Sequence, residues 1–320
     1  MVPPRIVSVF GATGLQGLIT SLLCGHVLMR FSGGAIVDAI LKHGTFVPRA
    51  ISRDPESEAS QKLQARGVQV VKGDALDKTG LINALHGSEA VFAVTVPAFP
   101  SVEGKNELAQ GKNIVDAAKE VGVKFFIWSC LPSISKLSNG KYKNVTHYEE
   151  KDAVREYLES SGLTHASILL PAFLENLNSR PLLKQTEKGY NIAMPIFKAM
   201  DRQAWAWISR DVPAAVLALL NNYTNPEKQI NGKTYPIVNA NISCSELAEI
   251  TGKALGAEVT FTSVPPTGLL ARDEMFACQA EYSGLYTATA VPNPDLVALG
   301  MKFSTIEEFL ESEVKPRFGK

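Results

Sequence analysis

A mostly apolar run near the N-terminus leads straight into three glycines with the spacing G-x-x-G-x-x-G. Residues 5–10 are rich in β-branched side chains, and Gly11, Gly14 and Gly17 follow them. In such a junction the first glycine permits a tight turn, the second lets the backbone approach a pyrophosphate, and the third lets the next helix pack against the strand. The N-terminus of that helix offers free N–H groups and partial positive charge to phosphates. A glycine-rich surface turn is the alternative, but the preceding apolar strand favours a dinucleotide-binding unit.

The residues after Gly17 do not fit a single crossover helix. Residues 34–44 already supply such a helix, with an apolar stripe and a glycine at its C-terminal end. Residues 18–33 are apolar nearly all round, too short to span a bilayer, and end in a Ser-Gly pair that separates them from that helix. Because their removal leaves one amphipathic helix, we predict that residues 18–33 are an in-frame insertion, such as a retained intron or a gene-model error. If they are present in the protein, we expect them to displace the helix that should hold the phosphates. Abundant transcript that encodes the segment would argue against this hypothesis.

Beyond this segment, short apolar strands alternate with amphipathic helices up to about residue 170. Such alternation predicts an α/β fold: a doubly wound parallel Rossmann sheet with a smaller α+β C-terminal lobe for a substrate or partner. We expect a Rossmann domain over residues 1–170 and a lobe over residues 171–320 that is interleaved with late strands of the core. The expected strands span residues 46–52, 68–71, 90–96, 124–129, 164–170, 204–209, 234–238 and 258–264, and the expected helices span residues 56–66, 78–85, 106–120, 149–160, 171–183, 211–221, 245–255 and 305–314.

The residues that follow the predicted strands indicate the cofactor, because ligands of such sheets bind at the carboxyl ends of the strands. An acidic residue after the second strand is typical of NAD sites, whereas here Arg53 occupies that place. A guanidinium suits the 2′-phosphate of NADP(H) through charge-assisted hydrogen bonds; the alternative is a solvated side chain. Asp74, after the third strand, either accepts from the adenine amino group or caps the helix from Leu76 onward. Thr95 is expected to line the adenosine side.

Composition argues against several classes of partner. Lys and Arg together number 32, as do Asp and Glu, so the net charge is zero, and no basic block occurs. Direct nucleic-acid or membrane-surface binding therefore has no electrostatic support. The cysteines lack C-x-x-C spacing, which predicts free thiols in a reducing compartment and no metal site. The N-terminal strand follows without a signal peptide, so we expect a cytoplasmic location, or a nuclear one if the role is regulatory.

Several short motifs, taken together, resemble the NmrA-like group of atypical short-chain dehydrogenase/reductases. They are GATGLQG at 11–17, SRDP at 52–55, GD at 73–74, WSCLP at 128–132, HYEEK at 147–151 and LPAFLEN at 170–176. The resemblance covers nearly the whole chain apart from the suspected insertion. It implies NADP(H) as the cofactor, bound by Gly11, Thr13, Gly14, Gln16, Gly17, Arg53, Asp74, Thr95 and Lys151, with the segment from Phe173 to Asn176 beside the nicotinamide.

The usual proton donor of short-chain reductases is absent from its place. Those enzymes commonly use Tyr-x-x-x-Lys on one helix face, where the lysine binds the nicotinamide ribose and lowers the pKa of the tyrosine. Here His147 stands in the tyrosine position before Lys151. Lys151 shares the apolar face with Val154 and Leu158, and an inward lysine needs a partner, which favours ribose binding. His147 either supplies the proton, with an ordinary pKa of about 6.5, or is structural, so Lys151 and His147 are the catalytic candidates.

Two functions of different classes follow, and the resembled family contains both. One is an NADPH-dependent oxidoreductase that reduces a small apolar carbonyl, imine or enone, as in secondary metabolism, with Lys151 holding the cofactor and His147 or water supplying the proton. The other is a non-catalytic NADP(H) redox sensor that presents its C-terminal lobe to a protein partner such as a transcription factor. The missing tyrosine favours the sensor, whereas the retained nicotinamide-side residues and the apolar lobe place the reductase slightly ahead.

Overall fold

The chain divides into two compact units. The computed structural model describes residues 3–13, 28–97, 106–179 and 182–319. The first unit comprises Met1–Ser133, His147–Leu169 and Val212–Tyr235, and the second comprises Ile134–Thr146, Leu170–Asp211 and Pro236–Lys320. Each unit therefore draws on several separate stretches of chain.

Strands and helices alternate along the first half of the chain. The strands are β1 Ile6–Phe10, β2 Val47–Ser52, β3 Gln69–Lys72, β4 Ala90–Ala93, β5 Phe125–Cys130, β6 His165–Leu169, β7 Ala172–Phe173, β8 Leu183–Gln185, β9 Gly189–Pro195, β10 Arg202–Ala206, β11 Lys233–Pro236, β12 Ala240–Ser243 and β13 Glu258–Val264. The helices are α1 Leu28–His43, α2 Glu58–Gln64, α3 Lys78–Leu85, α4 Glu107–Glu120, α5 Ile134–Leu137, α6 Thr146–Ser160, α7 Asn176–Ser179, α8 Ile208–Asn222, α9 Cys244–Leu255, α10 Leu270–Glu281, α11 Pro294–Ala298, α12 Ile306–Phe309 and α13 Lys315–Phe318. A short π-helical stretch, Leu310–Val314, joins the last two helices.

The first unit is built on a seven-stranded sheet with the strand order β11-β6-β5-β4-β1-β2-β3. Strand β1 pairs in parallel with both β2 and β4, and the pairs β2–β3, β4–β5 and β5–β6 are also parallel. Strands β4 and β5 are buried throughout, as expected for a parallel sheet covered on both faces. The order 3-2-1-4-5-6 is that of doubly wound dinucleotide-binding folds, whose switch point lies between β1 and β4. The predicted fold class is confirmed.

Helix α1 runs without a break through the glycine pair 33–34, so the predicted separation at this pair is wrong. Within the described residues the helix spans Leu28–His43, so residues 28–33 of the suspected insertion belong to the crossover helix, whereas residues 18–27 lie outside the described residues. Two glycines weaken a helix by about 1 kcal/mol each. Burial of Ile36, Val37 and Ile40, which are completely inaccessible to solvent, stabilises the helix against that loss.

The second unit contains two small sheets and a core of its own. Strand β10 lies between β12 and β7, and β9 lies between β13 and β8. The core includes Met194, Phe197, Trp205 and Phe309, all at most 4% exposed. These side chains pack against one another as part of a single buried cluster.

The segment 171–183, which the sequence predicts to begin as a helix, instead forms a strand and one helical turn. Ala172 pairs with Trp205 and Phe173 with Ala206 in the parallel β7–β10 pair. Pairing with a distant strand overrides the local preference for helix, and no pattern within the segment indicates that pairing. The predicted helix 305–314 also differs, since it changes to π-helical geometry at Leu310.

Cys130, Cys244 and Cys278 are buried and form no disulfide among the described residues, while Cys24 lies outside the described residues. Burial raises the pKa of Cys130 and of Cys244 to about 12 in each case, so neither is a reactive thiolate at neutral pH. Among the helices of the described residues, none has the length and apolar character needed to cross a bilayer.

Candidate functional site

The carboxyl ends of four neighbouring strands meet along one edge of the seven-stranded sheet. Phe10 pairs with Ile51, and Ile51 pairs with Val71. On the other side of β1, Val9 pairs with Phe92. This register brings together, at one edge, four residues singled out from the sequence: Asp74, Arg53, Gly11 and Thr95.

The turn after β1 has the backbone geometry expected of the first glycine. Gly11 has a φ of 75°, a left-handed conformation that glycine adopts without steric cost. Ala12 is buried and Thr13 is half-buried behind it. Gly14, Gln16 and Gly17 lie outside the described residues, and their contacts with phosphate stay predictions.

Arg53 is presented at the tip of a tightly bonded turn after β2. The carbonyl oxygen of Asp54 accepts hydrogen bonds from the hydroxyls of three serines, at 2.9, 2.8 and 2.7 Å for Ser52, Ser57 and Ser60. The Arg53 side chain is exposed and makes no hydrogen bond or ion pair with the described part of the chain. A hydrogen-bonded turn therefore carries an exposed arginine at the end of the strand next to β1.

Asp74 does not cap the helix that follows it, so that alternative is wrong. Its Oδ1 accepts from the backbone N–H of Leu76 at 2.9 Å, which closes a local Asx turn. Helix α3 is capped instead by Asp77, whose side chain accepts from the N–H of Gly80. The proposed contact of the exposed Asp74 with adenine stays a prediction.

A buried cluster of Thr95, Glu107 and Lys151 lies at the end of β4. The Lys151 Nζ is 2.6 Å from the Glu107 Oε1, and these side chains are 3% and 0% exposed. The same ammonium donates to the Thr95 carbonyl oxygen at 3.2 Å and to the Thr95 hydroxyl oxygen at 3.1 Å. The Thr95 hydroxyl in turn donates to Glu107 Oε1 at 2.7 Å. The prediction that Lys151 faces inward and needs a partner is confirmed.

The internal contacts account for all three N–H donors of the Lys151 ammonium. Burial raises the pKa of the Glu107 carboxyl, and the neighbouring Lys151 opposes that rise. The second oxygen, Glu107 Oε2, is buried and has no hydrogen-bond partner among the described residues. Lys151 thus binds a ribose hydroxyl only by exchanging one of its bonds to Thr95.

Glu107 and Gln110 complete this site, and neither was singled out from the sequence. The Gln110 side chain forms two hydrogen bonds with the backbone of Val96, of 3.1 and 2.8 Å, which secures the chain after β4. The sequence pattern that could have identified these two residues is an acidic side chain and an amide side chain, three residues apart, in the first turn of the helix after β4. Without the fold, a glutamate at a helix start is explained by the helix dipole alone.

A close approach of α4 and α6 brings Glu107 to Lys151. A Cβ added at Gly111 would lie 2.3 Å from Cγ2 of Val154, so only glycine permits this helix spacing. The Lys151 carbonyl oxygen accepts from the Trp128 indole N–H at 3.1 Å, which anchors α6 to β5. Backbone packing, rather than the lysine side chain alone, therefore determines where the ammonium lies.

His147 is buried beside Lys151, and this environment disfavours the protonated imidazole that an acid role requires. Burial, with a smaller effect of the Lys151 charge, lowers the pKa of His147 to about 4. Only about one imidazole in a thousand is then protonated at pH 7. The ring packs edge-on against Tyr148 at a centroid distance of 4.9 Å. The structural alternative for His147 is thus favoured over an acid role.

Phe173 and Asn176 belong to the second unit. Phe173 is buried in β7, and Asn176 begins α7 with an Oδ1 that has no hydrogen-bond partner among the described residues. Between them, the buried Glu175 accepts from the backbone N–H groups of Ile208 and Ser209 at 3.2 and 2.8 Å. This carboxylate fixes the segment to the start of α8. The predicted position of the segment beside the nicotinamide stays a prediction.

Comparison with known proteins places these features in a family. The model of the NmrA-like family matches residues 31–310. An NmrA-like family domain-containing oxidoreductase of Malbranchea aurantiaca, malD, is 26% identical over 294 residues, which cover 85% of this chain and 81% of the relative.

Two solved structures share the fold. The negative transcriptional regulator NmrA in complex with NADP superposes with a TM-score of 0.75 at 17% identity, covering 98% of this chain and 97% of that one. The NADPH-dependent quinone oxidoreductase QOR2 of Escherichia coli, complexed with NADPH, gives a TM-score of 0.68 at 21% identity, covering 95% and 98%. At these identities the likeness supports the fold alone.

The ion pair predicts that substitutions of Lys151 and Glu107 have non-additive effects on the free energy of unfolding. Lys151→Met leaves the Glu107 carboxylate buried without its cation and is expected to lower the free energy of unfolding by about 3–5 kcal/mol. Lys151→Met combined with Glu107→Leu removes both charges and is expected to recover most of that loss. Urea unfolding of the wild type, of the single variants Lys151→Met and Glu107→Leu, and of the double variant measures this double-mutant cycle. Additive losses in the double variant would contradict the buried pair.

The depressed pKa of His147 predicts a specific acid sensitivity. The folded protein keeps the imidazole neutral, so protonation in the unfolded chain favours unfolding as the pH falls from about 6.5 towards 4. His147→Phe should remove up to about 3 kcal/mol of that loss, seen as a difference in unfolding free energy that grows as the pH is lowered. His86→Gln, at an exposed histidine, is the control. Parallel pH profiles for the wild type and His147→Phe would contradict the assignment.

Proposed function

The chain belongs to the NmrA-like family, and we propose that it is an NADP(H)-dependent oxidoreductase that reduces a small apolar carbonyl, imine or enone, as in secondary metabolism. The observation that carries the proposal is the exposed Arg53 at the end of the strand next to β1, at the carboxyl edge of a doubly wound sheet. The name oxidoreductase for the malD relative and the NADPH bound by QOR2 support it.

The residues at this edge fit the phosphorylated adenosine half of the cofactor. Arg53 offers up to five N–H donors to a 2′-phosphate and has no competing acceptor among the described residues. Gly11 leaves room for the backbone to turn under a pyrophosphate. Asp74 and Thr95 follow the neighbouring strands on either side.

The residues of the buried cluster at the end of β4 fit a reduction in which Lys151 orients and polarises the substrate. When bound, NADPH supplies a hydride to the substrate carbon, and the substrate oxygen or nitrogen takes up a proton. A lysine ammonium held by Glu107 at 2.6 Å stabilises negative charge that develops on that atom. Because neutral His147 is a very weak acid, we assign the proton to Lys151 or to water, and Glu107 keeps the ammonium in place.

A non-catalytic NADP(H) sensor that contacts a protein partner is the second candidate. Two observations favour it: the tyrosine position is occupied by a neutral histidine, and all three Lys151 donors are engaged inside the protein. The shared fold with NmrA, a negative transcriptional regulator, agrees with this candidate. Both candidates require the same cofactor and differ in turnover.

Arg53→Ala tests the assignment of the 2′-phosphate. Loss of a charge-assisted contact is expected to weaken NADPH binding about 10- to 100-fold and to change NADH binding little. Arg66→Ala removes another exposed arginine of the same unit, one paired with Asp38, and should alter neither. Fluorescence titration of the wild type and both variants with NADPH and with NADH measures the six affinities. Equal losses for NADPH and NADH would contradict the role of Arg53.

Consumption of NADPH against a panel of apolar ketones, imines, enones and quinones distinguishes the two candidates. The reductase predicts turnover with at least one of these compounds, and a large loss of turnover in Lys151→Met at saturating NADPH. Glu107→Gln, which retains a hydrogen-bond acceptor, should reduce turnover less than Lys151→Met does. Tight NADPH binding without turnover of any compound would leave the sensor, and absence of NADPH binding would overturn both candidates.

A further inference from the structure

Strand β13 forms a long edge of the small sheet β13-β9-β8. It has seven residues, all of them exposed or half-buried, and among the strands that the structure describes it pairs only with β9. The other five edge strands of the described sheets, β3, β7, β8, β11 and β12, have two to four residues each. Natural proteins keep edge strands short, or place lysine, proline or a bulge in them, because an open edge pairs with other chains.

Strand β13 has none of these protective features. Its sequence, EVTFTSV, contains neither lysine nor proline, and its register with β9 advances residue by residue from Glu258 to Val264, without a bulge. The opposite edge of the same sheet, β8, has three residues and carries Lys184. A sheet that is protected at one edge and open over seven residues at the other favours a partner strand at the open edge.

Alternate residues of β13 direct their backbone groups away from β9. The carbonyl oxygen of Val264 accepts a hydrogen bond from the N–H of Ile196, just after β9, so the backbone groups of Val264 face β9. Because successive residues of a strand alternate in direction, the N–H and carbonyl groups of Val259, Phe261 and Ser263 face outward. These groups have no hydrogen-bond partner among the described residues.

We propose that β13 pairs in antiparallel with β13 of a second copy of this chain, about a two-fold axis through Phe261, and so joins two three-stranded sheets into one. This register pairs Val259 with Ser263 of the second copy and Phe261 with its own counterpart. Each of the three resulting pairs exchanges two backbone hydrogen bonds, so about six bonds satisfy all the outward groups. The assembly closes at two chains, because a two-fold contact uses the same surface of both.

The distribution of charge and side chains favours this partner and this direction. Glu258 is the single charged residue of β13, and the antiparallel register places its two copies about 20 Å apart, at about 3.4 Å per residue. A parallel pair in register would instead place the two carboxylates side by side, about 5 Å apart, which destabilises a sheet. Thr260 lies opposite Thr262 of the second copy on the exposed face, a favourable pair. On the other face the half-buried Phe261 rings lie next to each other and cover apolar surface.

Sedimentation velocity of the full chain tests the pairing. A single pair of strands is at the small end of interface sizes, so we expect a monomer–dimer equilibrium with a Kd of about 1–100 µM. Ser263→Pro removes one outward N–H donor from each chain and leaves the bonds to β9 intact, as an edge position permits. It should raise the Kd at least about tenfold. Ser263→Ala keeps the N–H group and should dimerise as the wild type does.

Ser263→Lys tests the same contact without a proline. Ser263 is exposed, so the lysine is compatible with the folded monomer, and a lysine at an edge opposes pairing; the Kd should again rise at least about tenfold. Thermal unfolding of each variant establishes that it is folded. A wild-type monomer at every concentration, oligomers that grow beyond two chains, or a dimer equally stable in Ser263→Pro and Ser263→Lys would each overturn the proposal. The measurement uses no NADPH, so its outcome is independent of the proposed function.

Discussion

The buried ion pair between Lys151 and Glu107 is the interaction on which the candidate site depends. Removing two charges from water costs several kcal/mol for each, and attraction between them offsets that cost only when geometry and hydrogen bonding are good. Thr95 provides the additional bonds, with its carbonyl and hydroxyl oxygens both within 3.2 Å of the ammonium. The pair requires α4 and α6 to approach closely, which the absence of a side chain at Gly111 allows. A local chemical feature thus depends on the spacing of two helices.

The same cluster determines which side chains of the site carry a charge. Burial, with a smaller effect of the Lys151 charge, lowers the pKa of His147, whereas the buried Lys151 ammonium lies 2.6 Å from the Glu107 carboxylate. Charge is concentrated on the lysine, and the histidine stays neutral. In the proposed reduction this cluster polarises the substrate without an acidic imidazole, and the same arrangement also fits the proposed cofactor sensor.

Much of the first unit was predictable because its strands and helices follow from patterns within short stretches of sequence. The alternation of apolar strands with amphipathic helices predicted the parallel sheet, and the bounds predicted for Lys78–Leu85 are those observed. The second unit was less predictable. Ala172–Phe173 became a strand through pairing with β10, and the hairpin of β8 and β9 was not anticipated, because short strands of a small sheet depend on neighbours far away in sequence.

The sequence by itself determined the fold class, the inward orientation of Lys151 and the position of Arg53 after the second strand, because these follow from hydrophobic period and from the order of elements. Only the tertiary structure decided that Glu107 is the partner of Lys151, that His147 is neutral, and that Gly33 of α1 packs against the Gly11 backbone. Each of these depends on distances between segments remote in the chain. Desolvation and steric exclusion act through space, so they take their values only when the chain is folded.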